Sequence, residues 1–156
     1  MLRHGLEYGT EYTLANASLA ETQQKIQNMY DALKEKDLGN KAYKSKNFAK
    51  AHHHYGNAID LDPNNIVFYT NKSAVLFEEE RFEECLELCR KAVAIGRENR
   101  ADPVLISKPL ARMGRVYLKQ KDYKNALEHL QQSLIECEVE SVVKEVERIK
   151  NILEAK

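Results

Sequence analysis

The sequence predicts an all-α fold of stacked helix-turn-helix pairs, on three observations. The first is an internal period of 34 residues, in which Ala32–Asn65, Ile66–Asn99 and Ser107–Glu140 align. The second is a recurring size pattern. Small residues stand at repeat position eight (Gly39, Ser73, Gly114), twenty (Ala51, Cys85, Ala126) and twenty-seven (Ala58, Ala92, Ser133). Positions twelve (Tyr43, Phe77, Leu118), seventeen (Phe48, Phe82, Tyr123) and twenty-four (Tyr55, Cys89, Leu130) are mostly large. Small residues let paired helices approach closely, and large ones fill the space between them. The third is the scarcity of breakers: three prolines and six glycines in 156 residues.

The elements follow in order. Residues 1–31 lie outside the repeats, with Met1 to Asn16 expected to be unstructured. Ser18 with Glu21 has the capping-box spacing, so a helix is expected to begin there and run into the first repeat. The first helices of the repeats are expected near 32–45, 65–78 and 103–119, and the second helices near 48–61, 82–98 and 123–137. Ser45-Lys46-Asn47, Glu79-Glu80-Arg81 and Gln120-Lys121-Asp122 are the turns within pairs. Repeats at 32–65, 66–99 and 107–140 leave an insert at 100–106, where Asp102-Pro103 has the form of an N-cap followed by proline at the first helical position. Residues 140–156 hold a last helix, with Val142, Val143, Val146, Ile149, Ile152 and Leu153 on one face and charges on the other, as a capping helix requires.

Composition narrows the function. Apolar residues make up 43% and charged residues 31%, in the globular range, and the length suffices for a core without disulfides or metal. Lysine plus arginine equals aspartate plus glutamate, 24 each, which argues against a general nucleic-acid binder. No apolar run is long enough to span a membrane, and the N-terminus lacks the apolar stretch of a secretory signal. Three cysteines read as reduced thiols of a cytoplasmic protein. No phosphate-cradling glycine loop, nucleophile elbow or metalloprotease motif occurs. The expectation is therefore a non-enzyme with no catalytic residue, cofactor or metal. Consecutive helical residues point about 100° apart, so His52, His53 and His54 cannot converge on one ion. Cys85 and Cys89 occupy packing positions and are expected to be core thiols.

The repeat pattern resembles the tetratricopeptide repeat over about two thirds of the chain. The resemblance implies a right-handed superhelix, often monomeric, whose concave face is lined by the first helix of each repeat. On those helices Lys36 and Asn40 hold repeat positions five and nine, Asn71 position six, and Lys108 and Arg112 positions two and six. These positions are three or four apart and share one helical face. Three cations and two amides, with no carboxylate among them, suit an anionic ligand with closely spaced carboxylates. A peptide ending in aspartate offers two.

The set resembles the carboxylate clamp of chaperone-binding tetratricopeptide domains. The stretches Lys34-Glu35-Lys36-Asp37-Leu38-Gly39-Asn40-Lys41-Ala42-Tyr43 and Gly96-Arg97-Glu98-Asn99-Arg100, with Lys108, Arg112 and Gly114, resemble the central domain of the Hop/Sti-type co-chaperone family. The resemblance implies a co-chaperone adaptor that binds the C-terminal Met-Glu-Glu-Val-Asp of heat-shock protein 90. The tail of heat-shock protein 70, or a non-chaperone partner on a repeat scaffold, are the alternatives. By the same resemblance Lys36, Asn40, Asn71, Lys108 and Arg112 form the clamp, and Tyr43 and Glu78 contact the peptide upstream. The chain departs from the family pattern at Val67, Leu105, Pro109 and Arg115. Pro109 lacks an N–H and follows a clamp lysine: in a helix beginning at Pro103 it would sit inside and kink it, and in one beginning near Ser107 it would fall in the tolerant first turn.

Overall fold

A computed structural model describes residues 3–155, with side chains from Thr10 onward. Among the described residues there are seven helices and no strand: α1 (Arg3–Lys44), α2 (Phe48–Leu61), α3 (Ile66–Glu78), α4 (Phe82–Glu98), α5 (Pro103–Lys119), α6 (Tyr123–Glu136) and α7 (Glu140–Glu154). The helices α2 to α6 lie within one residue of the spans the sequence predicts, and α7 begins at the predicted Glu140 and ends at Glu154, two residues short of the predicted 156. Each helix packs on the next. In addition α1 packs on α3 and α3 on α5, whereas no comparable contact joins α2 to α4 or α4 to α6. An array whose odd helices touch while its even helices splay must curve, with α1, α3 and α5 on the inner side. Among the described residues no helix is long and apolar enough to cross a membrane.

The N-terminal segment differs from expectation. Residues expected to be unstructured up to Asn16 are helical from Arg3, and the capping box at Ser18 and Glu21 does not form; Met1 and Leu2 lie outside the described residues. From Thr10 to Leu38 the chain holds no glycine or proline, so nothing between them breaks the helix at Ser18, and it runs on through Gly9 and Gly5 to Arg3. The Thr22 hydroxyl donates to the Ser18 carbonyl, and Gln24–Asn28 and Gln27–Asp31 amide pairs support the turns between.

The turns within the pairs share one device. Lys46, Glu80 and Lys121 all stand at repeat position fifteen with φ of 59°, 58° and 60°. That left-handed residue lets the next N–H reach back to a carbonyl five residues earlier: Asn47 to Ala42, Arg81 to Leu76 and Asp122 to Tyr117, each at 2.9 Å. Asn47 and Asp122 then cap α2 and α6 with their side chains. The insert closes α4 in the same way, with Arg100 at φ 51° and Ala101 donating to Gly96. Its remaining residues form the Asp102 cap and the first turn of α5, with Pro103 at the start as the sequence predicts.

Position eight sets how closely each pair packs. A Cβ added at Gly39 would lie 2.5 Å from the Tyr55 ring, and one at Gly114 would lie 2.6 Å from Leu130 Cγ and 3.1 Å from the Ala126 carbonyl oxygen. In the second repeat the Ser73 carbonyl instead accepts from the Cys85 thiol at 3.3 Å. The core continues into α7 through Val142, Val146 and Ile149, packed with Ala126 and Leu130, while Ile152 stays exposed. Arg115 also pairs with Glu145 of α7 at 2.7 Å.

The three histidines diverge. His52 meets Glu79, His54 meets Glu35 at 2.6 Å, and His53 meets Asn57 at 3.3 Å. Cys85 and Cys89 are fully buried. Their mutual hydrogen bond, and burial after it, push the Cys85 thiol well above the ordinary thiol range, the opposite of a reactive thiolate.

The Gly114→Ala variant tests the close approach of α5 and α6. The backbone oxygen of Ala126 cannot turn aside as a rotamer can, so overpacking is expected to cost about 1–3 kcal/mol. Urea unfolding should show a lower midpoint with an unchanged slope. An unchanged or raised midpoint would contradict the packing described.

Candidate functional site

The inner face carries the polar side chains that the sequence selects. Asn40 sits on α1 directly after the glycine that admits Tyr55, so the Tyr55 hydroxyl reaches it and donates to Asn40 Oδ1 at 2.6 Å. Asn71 Nδ2 of α3 donates to the same oxygen at 3.4 Å. With its oxygen engaged twice, the Asn40 amide must present its two N–H donors away from Tyr55. Among the described residues those donors meet no protein acceptor. Burial, and after it the neighbouring Tyr43, push the Tyr55 phenol up to about 12, so it remains a donor at neutral pH.

Arg112 projects from α5 onto α3. Its Nη1 donates to the Thr70 carbonyl at 2.8 Å and to Ser73 Oγ at 3.0 Å. Ser73 in turn donates to the Thr70 carbonyl at 2.6 Å. The guanidinium is thus fixed by neutral acceptors, which orient it without cancelling its charge. Lys108 lies one turn before Arg112, is exposed, and lines a small cavity with Asn71, Thr70, Val67 and Leu105. Lys36 lies one turn before Asn40, with its Nζ 4.0 Å from Asp37 Oδ1. That pair joins neighbouring residues with Asp37 well exposed, so it restrains Lys36 little.

A second cavity, about 160 Å³, is lined by Tyr43, Ala74, Phe77, Glu78, Arg112 and Arg115. Tyr43 and Glu78 also line a neighbouring hollow with Lys44, Lys46 and Phe48. Burial raises the Tyr43 phenol, the Glu78 carboxylate adds to the rise, and Arg112 opposes it. The structure therefore joins Asn40 to Asn71, sets Asn71 beside Lys108, and sets Arg112 beside Tyr43 and Glu78. Among the described residues no side-chain hydrogen bond or ion pair joins Lys36 to the other six; it stands one turn before Asn40 on the same face of α1.

Three residues at the site were not selected from the sequence. Tyr55 appears there only as a packing residue, and its role at Asn40 follows from the Gly39 contact. Ser73 was selected for size, yet its hydroxyl holds Arg112. Arg115 was noted as a departure from the family pattern; it borders the second cavity and is braced by Glu145. Pro109 lies inside a helix that starts at Pro103, and its ring is buried. Of the two helix starts open to the sequence, the structure takes the earlier one, and Lys108 still borders the groove beside Asn71.

Comparison with known proteins gives a uniform result. The tetratricopeptide-repeat family models match residues 36–65 and 66–134. The chain is 51% identical over 124 residues to the Caenorhabditis elegans Stress-induced-phosphoprotein 1, covering 80% of this chain and 39% of that protein. The chain thus spans about two fifths of the length of this relative. Among solved structures it is similar to the N-terminal domain of stress-induced protein-1 (STI-1) from C. elegans, with TM-score 0.72, 50% identity and coverage of 79% of this chain and 97% of that one. It is also similar to the yeast Sti1 TPR2AB domain in its pHSP90 complex, with TM-score 0.77, 35% identity and coverage of 80% and 48%.

The Tyr55→Phe variant isolates the hydroxyl that holds Asn40. The ring remains to fill the space beside Gly39, so the expected loss is that of one hydrogen bond, about 0.5–1.5 kcal/mol. A melting temperature lower by about 2–4 °C would register it. An unchanged melting temperature would mean that the bond contributes nothing.

Proposed function

Because the chain belongs to the tetratricopeptide-repeat family, as a domain of the Hop/Sti type, we propose that its inner groove captures the C-terminal tail of heat-shock protein 90. The observation that carries the reading is the Asn40–Asn71 contact beside an Arg112 fixed on Thr70 and Ser73. It supplies amide donors and a guanidinium whose positions are set before any ligand arrives. A terminal aspartate brings two carboxylates, one main-chain and one side-chain. Asn40, Asn71 and Lys36 would take one, and Lys108 and Arg112 the other. Tyr43 and Glu78, at the far end of the groove, would meet residues upstream. The relative solved in a pHSP90 complex supports this choice of tail.

The work of the domain is binding, so it acts as an adaptor and not as an enzyme, and the setting proposed is the cytoplasm. Buried, unpaired Cys85 and Cys89 fit a reducing compartment. Charge-assisted hydrogen bonds contribute roughly 1.5–3 kcal/mol each, and an extended peptide loses entropy on ordering. Low-micromolar affinity, about −8 kcal/mol, is the expected scale.

Fluorescence anisotropy with a labelled Met-Glu-Glu-Val-Asp peptide tests the reading, comparing the free acid with the C-terminal amide. Binding of the acid should weaken as salt rises and should be lost on amidation. Arg112→Ala and Asn71→Ala should each abolish it while the helical circular dichroism persists. Equal binding of acid and amide, or an unchanged affinity in either folded variant, would contradict the clamp. A heat-shock protein 70 tail run beside it decides the choice of chaperone: tighter binding of that peptide would overturn the assignment to heat-shock protein 90.

A further inference from the structure

We propose that α1 pairs antiparallel with α1 of a second copy of this chain, through an exposed seam centred on Leu19. From Ala32 onward α1 is buried against the repeats, with Ala32 packed on Ala58 and Phe68. Between Thr10 and Tyr30 no residue is buried: Tyr12, Leu19 and Ile26 are 70%, 56% and 49% exposed. A helical segment of about twenty residues without tertiary cover is marginal in water. Of its six exposed large apolar residues, Tyr12, Leu19, Ile26 and Met29 share one stripe, and Leu14 and Tyr30 lie off it. Tyr12, Leu19, Ile26 and Leu33 follow one another at intervals of seven, with Ala15, Thr22 and Met29 three residues after the first three. These are the two apolar positions of a coiled-coil heptad.

The seam is not unused repeat packing. At about 100° per residue it lies on the side of α1 opposite Ala32, Gly39 and Ala42, which pack inward. The inward face, continued toward the N-terminus, carries Asn28, Gln24, Glu21 and Thr10, with Leu14 and Ala17 among them, and none of these is buried. Lys36 and Asn40 stand seven residues after Met29 and Leu33, so beyond Leu33 the same stripe runs on into the groove and the seam occupies only its N-terminal length.

Charge and size select the occupant and its direction. Glu11 and Lys25 flank the seam on the same side, seven residues either way from Ser18. An antiparallel two-fold pairing with Ser18 facing Ser18 sets each Glu11 opposite Lys25 of the second copy, twice by symmetry. In that register Leu19 lies level with Ala15 of the second copy and Tyr12 with Thr22, large against small in these two layers. A parallel pairing would set Glu11 beside Asn16 and Lys25 beside Tyr30, with no opposite charges matched.

Sedimentation velocity of the full 156-residue chain, from micromolar to near-millimolar concentration, tests the pairing. A concentration-dependent dimer is expected. Leu19→Lys with Ile26→Lys should weaken it about a hundred-fold or more, with tail binding retained as the check on folding. Glu11→Lys should weaken it, and adding Lys25→Glu should restore it. Ser18→Cys in a Cys137→Ser background should trap a disulfide-linked dimer on oxidation. A monomer throughout the range would overturn the proposal, as would a dimer indifferent to the Leu19 and Ile26 changes. A dimer that Ser18→Cys fails to trap, or that the charge swap fails to restore, would overturn the antiparallel arrangement.

Discussion

The structure depends on the missing side chain at repeat position eight. With no Cβ at Gly39 or Gly114, α2 and α6 come close enough for Tyr55 and Leu130 to lie against the backbone of the preceding helix. Protein interiors tolerate little void or overlap, so this contact fixes the spacing of each pair. The spacing then fixes the groove, because the inner helices α1, α3 and α5 also pack on each other. At Gly39 the same contact carries a chemical consequence. The ring that fills the space ends in a hydroxyl, and that hydroxyl orients Asn40.

Helix α3 is the hub of the site. It gives Asn71 to Asn40 on one side, and Thr70 and Ser73 to Arg112 on the other. Side chains from three repeats are therefore positioned by one buried helix and not by loops. The acceptors that hold Arg112 are uncharged, so its positive charge stays available to the groove. Had a carboxylate held it, much of the attraction for an anionic ligand would already be spent within the fold. The Glu145 carboxylate braces Arg115 and ties the capping helix to the far end.

Most of the fold was legible because the repeat shows the same local rule three times. Small residues at positions eight, twenty and twenty-seven and polar turns within each pair recur, and each recurrence strengthens the next. The N-terminal helix was misjudged because Ser18 and Glu21 satisfy a local signature, while the decisive fact is the lack of any breaker from Thr10 to Leu38. Periodicity and family resemblance select the seven residues proposed for the clamp and pocket. Tyr55 and Ser73 are not selected, since periodicity labels both as packing residues and says nothing of where a hydroxyl points. The start of α5 was open in the sequence, since Pro109 tolerates either choice on local grounds; the Asp102 cap and the Ala101-to-Gly96 closure decide it.

Packing and the proposed recognition meet at one hydrogen bond, from Tyr55 to Asn40. A double-mutant cycle between Tyr55→Phe and Asn40→Ala, read as affinity for the free-acid tail peptide, measures that link directly. Tyr55→Phe should weaken binding when Asn40 is present and have no further effect once Asn40 is alanine. Losses that simply add would show that Tyr55 acts on the groove by some route other than the amide it holds, and would contradict the account.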